Sequence, residues 1–196
     1  MPVKLSDNYD LSKHVIILTG ATDGIETKGQ LLKTKLTIYH NFLLTILLLD
    51  TMKKSVSAKL PGKIVLTSSR ANNFGEIDFD NLNLEKGVYL RDMQNTKLMN
   101  ILICKELGRM LQNDHITTYS LHPDVILTNI AHLNTGFSIS TLIINTLSRL
   151  NGITAEQGVT NVLYLAFSLE TGKYYDEGIE QEPNKIANNQ EIAKKL

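Results

Sequence analysis

The stretch from Gly62 to Lys97 constrains the fold of this chain more than any other. Ile64-Val65-Leu66-Thr67 is a short apolar, partly β-branched run that follows the breaker Pro61-Gly62. Such a run bounded by a turn predicts a buried strand. It ends in Ser68-Ser69, so two hydroxyls arrive together at the carboxyl end of the strand. Asn72 to Tyr89 is rich in Asn, Asp and Gly and reads as a loop, with Ile77-Asp78-Phe79 as a short extended piece inside it. Beyond it, Leu98, Ile101, Leu102, Leu107, Met110 and Leu111 recur at helical spacing. That spacing predicts a helix from Met93 to Leu111, with Lys97 one turn inside it.

The flanking segments repeat the alternation. His14 to Thr19 reads as a first buried parallel strand and runs directly into Gly20-Ala21-Thr22-Asp23-Gly24-Ile25. Gln30 to Lys54 reads as one long helix, with Leu31, Leu32, Leu36, Phe42, Leu43, Ile46, Leu47 and Leu49 forming a wide apolar face. Ile116 to Leu121 predicts a third strand, closed by His122-Pro123-Asp124. An apolar, helical region runs from Thr128 to Leu150. A further helix is predicted from a capping box at Thr154 and Gln157 to Leu169. Lys173-Tyr174-Tyr175 reads as a last short strand, and the polar tail from Asn184 as a final helix anchored by Ile186, Ile192 and Leu196. Strands alternating with helices predict an α/β fold, a parallel sheet with helices on both faces.

At 196 residues the chain reads as a single domain, residues 1–196, long enough for a substantial core. Its formal net charge is zero, which gives no electrostatic case for nucleic acid. The single cysteine, Cys104, excludes an intramolecular disulfide and fits a reducing, intracellular and cytoplasmic setting. The polar N-terminus lacks the apolar core of a signal peptide. The most apolar run, Phe42 to Leu49, is far short of the roughly 20 residues that span a bilayer. The sequence thus predicts no transmembrane segment and leaves peripheral membrane association open. The five histidines show no metal-ligand spacing, so no metal is expected.

Two features carry chemistry at the residue level. Gly20 and Gly24 permit a tight turn whose following helix would offer free N–H groups to a phosphate; an ordinary strand-to-helix turn uses the same residues. Ser69 and Lys97 offer a hydroxyl and a cation after a strand and inside a helix, and a strand end and a solvated helix lysine would also account for them. Tyr89 lies eight residues before Lys97, two helical turns, too far for direct pairing unless the loop folds back.

Taken jointly and in order, these features are specific. The glycine turn, Ser68-Ser69, Lys97-Leu98-Met99-Asn100-Ile101-Leu102, Lys105-Glu106-Leu107 and Tyr119-Ser120-Leu121-His122-Pro123 resemble the short-chain dehydrogenase/reductase family, in its retinol-dehydrogenase-like branch. Phe42-Leu43-Leu44-Thr45, Glu156-Gln157-Gly158 and Gly172-Lys173-Tyr174-Tyr175 read the same way, so the resemblance covers nearly all of residues 14–196. It implies a Rossmann-like sheet and hydride transfer between NADP or NAD and a small lipophilic alcohol or carbonyl substrate. Ser69 matches the family's substrate-orienting serine. Lys97 matches the lysine that holds the cofactor ribose and lowers the pKa of a tyrosine. Gly20, Gly24 and Ile25 match the cofactor turn, and Pro123 and Thr128 the loop beside the nicotinamide.

This chain also departs from that pattern. Met93 stands where the tyrosine belongs, and loss of a general acid costs roughly 10²–10⁴ in rate. Glu26 replaces a third turn glycine, Asp124 a loop glycine, and Thr37 a helix asparagine. Gly24 and Gln30 are nearly adjacent, whereas the family places three further strands between its glycine turn and its long helix. The resemblance therefore implies a truncated Rossmann-like sheet and an oxidoreductase of impaired activity. The alternative is a non-catalytic member that acts as a dimerising or interaction module. In the family the helices corresponding to Gln30–Lys54 and Met93–Leu111 form a dimer bundle, which implies a homo-oligomer or hetero-dimer.

Overall fold

The computed structural model describes the backbone of residues 30–82, 89–122 and 170–196, and side chains over 42–82, 94–122 and 170–196. Four strands form one sheet in the order β1 (Gly62–Thr67), β2 (Ile116–His122), β3 (Lys173–Asp176) and β4 (Ile179–Glu180). The pairs β1–β2 and β2–β3 are parallel, with Ile64 opposite Thr118 and Ser120 opposite Tyr174. β4 turns back antiparallel on β3. The connecting residues Glu177 and Gly178 both have positive φ, 52° and 83°, the geometry of a tight two-residue hairpin that keeps the strand twist.

Helices α1 (Gln30–Ser55), α2 (Tyr89–Met110) and α3 (Gln190–Lys195) accompany the sheet. Alternation along β1 and β2 decides which side chains meet them. Ile64, Leu66 and Ile116 point to the helical layer and pack with Cys104, Leu107 and Leu111, joined by Leu49, Met52 and Val56 at the end of α1. Tyr119, Leu121 and Tyr175, with Val65, form a separate cluster on the other face. Farther along α2, Leu98, Ile101 and Leu102 are fully buried against Tyr174, Ala187 and Ala193. The tail residues Ile186, Ile192 and Leu196 close that cluster, in the roles the sequence assigns them. The helices expected over 128–150 and 154–169, and the strand expected over 14–19, lie outside the described residues.

Two expectations are corrected. α2 begins at Tyr89, not Met93, so Lys97 sits two turns inside the helix rather than one. Ile77-Asp78-Phe79 is not extended throughout: Asp78 is extended and caps a 3₁₀ turn that begins at Phe79 and runs to Asn81, its side chain accepting from the Asp80 N–H. Along α1 the wide apolar face divides: Phe42, Leu43, Ile46 and Leu47 are exposed while Leu49 packs on the core.

Candidate functional site

The carboxyl end of β1 is bound to α2 at two consecutive positions, Thr67 and Ser68. The Thr67 carbonyl accepts from Asn100 Nδ2 at 2.9 Å and from Lys97 Nζ at 3.4 Å. Ser68 is buried; its Oγ donates to the Lys97 carbonyl at 2.8 Å, and its N–H continues the sheet by donating to the Leu121 carbonyl at 2.6 Å. Ser69, the next residue, is half-buried and extended (φ −163°, ψ 157°). Its Oγ caps the 3₁₀ turn Arg70–Phe74 by accepting from the Ala71 N–H at 3.2 Å, which leaves its own proton available. The fold therefore brings Ser69 and Lys97 to the same strand end, linked by the intervening bonds of Ser68 and Thr67.

Lys97 is half-buried, and its hydrogen bond to Thr67 is long. None of the described carboxylates forms an ion pair with it. Burial without a counter-ion pulls its pKa below the ordinary lysine range, because desolvation disfavours the charged form. Lys105, two turns farther along α2, differs: it donates to Asn188 Oδ1 at 2.5 Å, and Glu182 and Glu180 oppose the lowering that burial causes.

Behind the serines, the loop is locked by asparagines. Asn72, fully buried, donates from Nδ2 to the Ser69 carbonyl at 2.7 Å, and its Oδ1 accepts from the Asn184 N–H at 3.0 Å. Asn184 Nδ2 reaches the carbonyls of Asn72 (3.0 Å), Gly75 (2.9 Å) and Asn73 (3.3 Å), while its Oδ1 caps Ile186. On the outer side, Arg70 Nε meets Asp176 Oδ2 at 2.6 Å and its Nη2 pairs with Glu177. These contacts clamp the turn after Ser69 to the β3–β4 hairpin.

Met93 lies in α2 one turn before Lys97, so the two positions share a face of the helix. Tyr89 is the first residue of the same helix. Eight residues at the helical rise place its backbone about 12 Å from that of Lys97, which removes the folded-back loop that would have let it pair. Gly20, Gly24, Ile25, Pro123 and Thr128, with Glu26 and Asp124, lie outside the described residues. Sequence reasoning missed Ser68 and Asn100 as positioning groups. Their signal was present: a second serine at the strand end, and a buried asparagine three residues after Lys97 on the same helical face. No cluster of three or more metal-ligating side chains occurs among the described residues, and no described helix is long and apolar enough to cross a membrane.

No family model matches the chain. Human retinol dehydrogenase 14 is 34% identical over 163 residues, covering 80% of this chain and 47% of that protein. Human retinol dehydrogenase 13 is 35% identical over 165 residues, covering 80% and 48%. Among solved structures, the Pseudomonas aeruginosa RhlG/NADP active-site complex matches with a TM-score of 0.57 at 16% identity, covering 80% of this chain and 59% of that one. The chain belongs to the short-chain dehydrogenase/reductase family. Within the family it is retinol-dehydrogenase-like, with a Rossmann-type α/β sheet. It spans about half the length of the curated relatives it matches.

Proposed function

We propose that this single shortened domain, residues 1–196, is an NAD(P)-linked oxidoreductase of reduced activity that acts on a lipophilic alcohol or aldehyde. One observation carries the reading: Ser69 and Lys97 are held at one strand end by Ser68, Thr67 and Asn100. The polar groups there fit the ribose side of a nicotinamide cofactor. Lys97 is half-buried, with one long bond and no counter-ion among the described residues, so its protonated form has donors to offer vicinal hydroxyls. When bound, the cofactor would supply or take up the hydride. The Ser69 hydroxyl would orient the substrate oxygen by donating its free proton to it. Met93 at the position one turn before Lys97 has no proton to transfer, so the rate falls by roughly 10²–10⁴.

Titration of the purified chain with NADPH and with NADH, followed by cofactor fluorescence, tests the proposal. Saturable binding supports it, and no binding at millimolar cofactor would end it. Restoring the phenol with Met93→Tyr is expected to yield little activity, because the turn residues Gly20 to Ile25 lead almost at once into α1; a large gain would overturn that part.

A second reading, a non-catalytic dimerising module, draws on Phe42, Leu43, Ile46 and Leu47, which leave an apolar strip of α1 exposed. Size-exclusion chromatography with cross-linking distinguishes it, and a stable monomer would count against it.

A further inference from the structure

Lys97 differs from the other buried-side lysines in how its nitrogen is used. Lys63 Nζ faces the Tyr119 hydroxyl at 3.2 Å, and Lys105 Nζ is held at 2.5 Å by Asn188. Among the described residues Lys97 Nζ has one hydrogen bond, at 3.4 Å, to a carbonyl that Asn100 already serves at 2.9 Å. The backbone of Lys97 is fixed by the Ser68 hydroxyl, so the nitrogen is carried on a positioned stem. Arg70, the charged residue next to Ser69, turns its guanidinium to Asp176 and Glu177. Lys97 is partly buried and meets no carboxylate among the described residues, and a desolvated lysine of that kind is the arrangement in which an amine acts as a nucleophile toward carbonyl carbon.

We propose that the Lys97 amine captures aldehydes as a reversible imine at the carboxyl end of β1. The nitrogen lone pair forms a bond to the carbonyl carbon as the C=O π pair moves to oxygen. One proton passes from nitrogen to that oxygen to give a carbinolamine. The C–O bond then breaks, a further proton leaves nitrogen, and water departs, so the step is a condensation with no net oxidation. Ser69, whose hydroxyl proton is not used by its cap, is placed at the same strand end to donate to the leaving oxygen. The aldehyde class rests on the oxidoreductase reading above; the amine chemistry does not.

The full chain is incubated at pH 7.4 with limiting decanal and sodium cyanoborohydride, which delivers hydride to the imine carbon and fixes it as a secondary amine; peptide mass mapping then reads each lysine. Label at Lys97 is expected to exceed that at the exposed Lys54 and Lys59 on the order of tenfold. Unfolding the chain in urea is expected to abolish the preference, and Lys97→Arg to remove only the Lys97 label. Equal or lower labelling of Lys97 in the folded chain, or a preference that survives in urea, would overturn the proposal. Selective capture in a chain that binds neither NADPH nor NADH would retain the imine chemistry and remove the oxidoreductase reading. Cofactor binding without selective capture would do the reverse.

Discussion

Two polar side chains, Asn72 fully buried and Lys97 half-buried, sit on either side of the serine pair, and they are treated in opposite ways. Asn72 is fully satisfied. Its amide nitrogen, amide oxygen, main-chain N–H and main-chain carbonyl all have partners, at 2.7 to 3.0 Å. Lys97, when protonated, carries a whole charge into partly buried surroundings and has one long bond among the described residues to show for it. A saturated network such as that of Asn72 specifies a structure, because any loss leaves a buried group unpaired. An unsaturated cation adds little to the fold and keeps its bonding capacity for something else.

Removing Asn72 should be the heaviest blow. Asn72→Ala leaves the Asn184 N–H without its acceptor and the Ser69 carbonyl with only the main-chain N–H of residue 72, and a loss of about 2–4 kcal/mol is expected in urea denaturation. An effect below about 1 kcal/mol would mean that the two groups find water, and the contrast with Lys97 would weaken. Gly75→Ala attacks the same junction by volume. A Cβ there would lie 2.8 Å from the Gln94 carbonyl oxygen and 2.9 Å from Leu98 Cβ, so one element must move, at about 1–3 kcal/mol.

Lys97→Met should go the other way. Relief of desolvation offsets the loss of a weak bond, so the variant is expected within about 1 kcal/mol of wild type and on the stable side at neutral pH. The sign with pH follows from the lowered pKa. Between the folded value and the ordinary 10.5, the unfolded chain holds more protons, so wild-type stability rises as pH rises through that window. The advantage of Lys97→Met should therefore shrink as denaturation is repeated from neutral pH toward 10.5. A gap that widens would show that Lys97 contributes to the fold. The smallest effect is expected from Arg70→Gln. Arg70 is 53% exposed, and its pairs with Asp176 and Glu177 are screened, so thermal melts should register about 1 kcal/mol or less.

The same contrast marks what could be read from the sequence. β1, β2, β3, both long helices and the anchoring role of Ile186, Ile192 and Leu196 follow from local apolar pattern, which one chain segment carries by itself. The positions of Ser69 after a strand and of Lys97 inside a helix were legible because the patterns of that strand and that helix are clear. The start of α2 was not: Tyr89 to Asp92 carries one apolar residue between polar ones and resembles loop. The capped turn at Phe79 was masked by apolar neighbours that suggest extension. The link from Asn72 to Asn184 joins residues 112 positions apart, and nothing in either neighbourhood announces the other. Site support of this kind is tertiary and leaves only a buried asparagine as its trace.

The adjacent serines are a consequence of the pleat. Successive side chains of an extended strand leave on opposite sides, so Ser68 turns inward to the Lys97 carbonyl and Ser69 turns to cap the outer turn. The two hydroxyls are thereby assigned mooring and presentation by parity alone. Inserting or deleting one residue in β1 would exchange the two duties while leaving the composition of the edge almost unaltered.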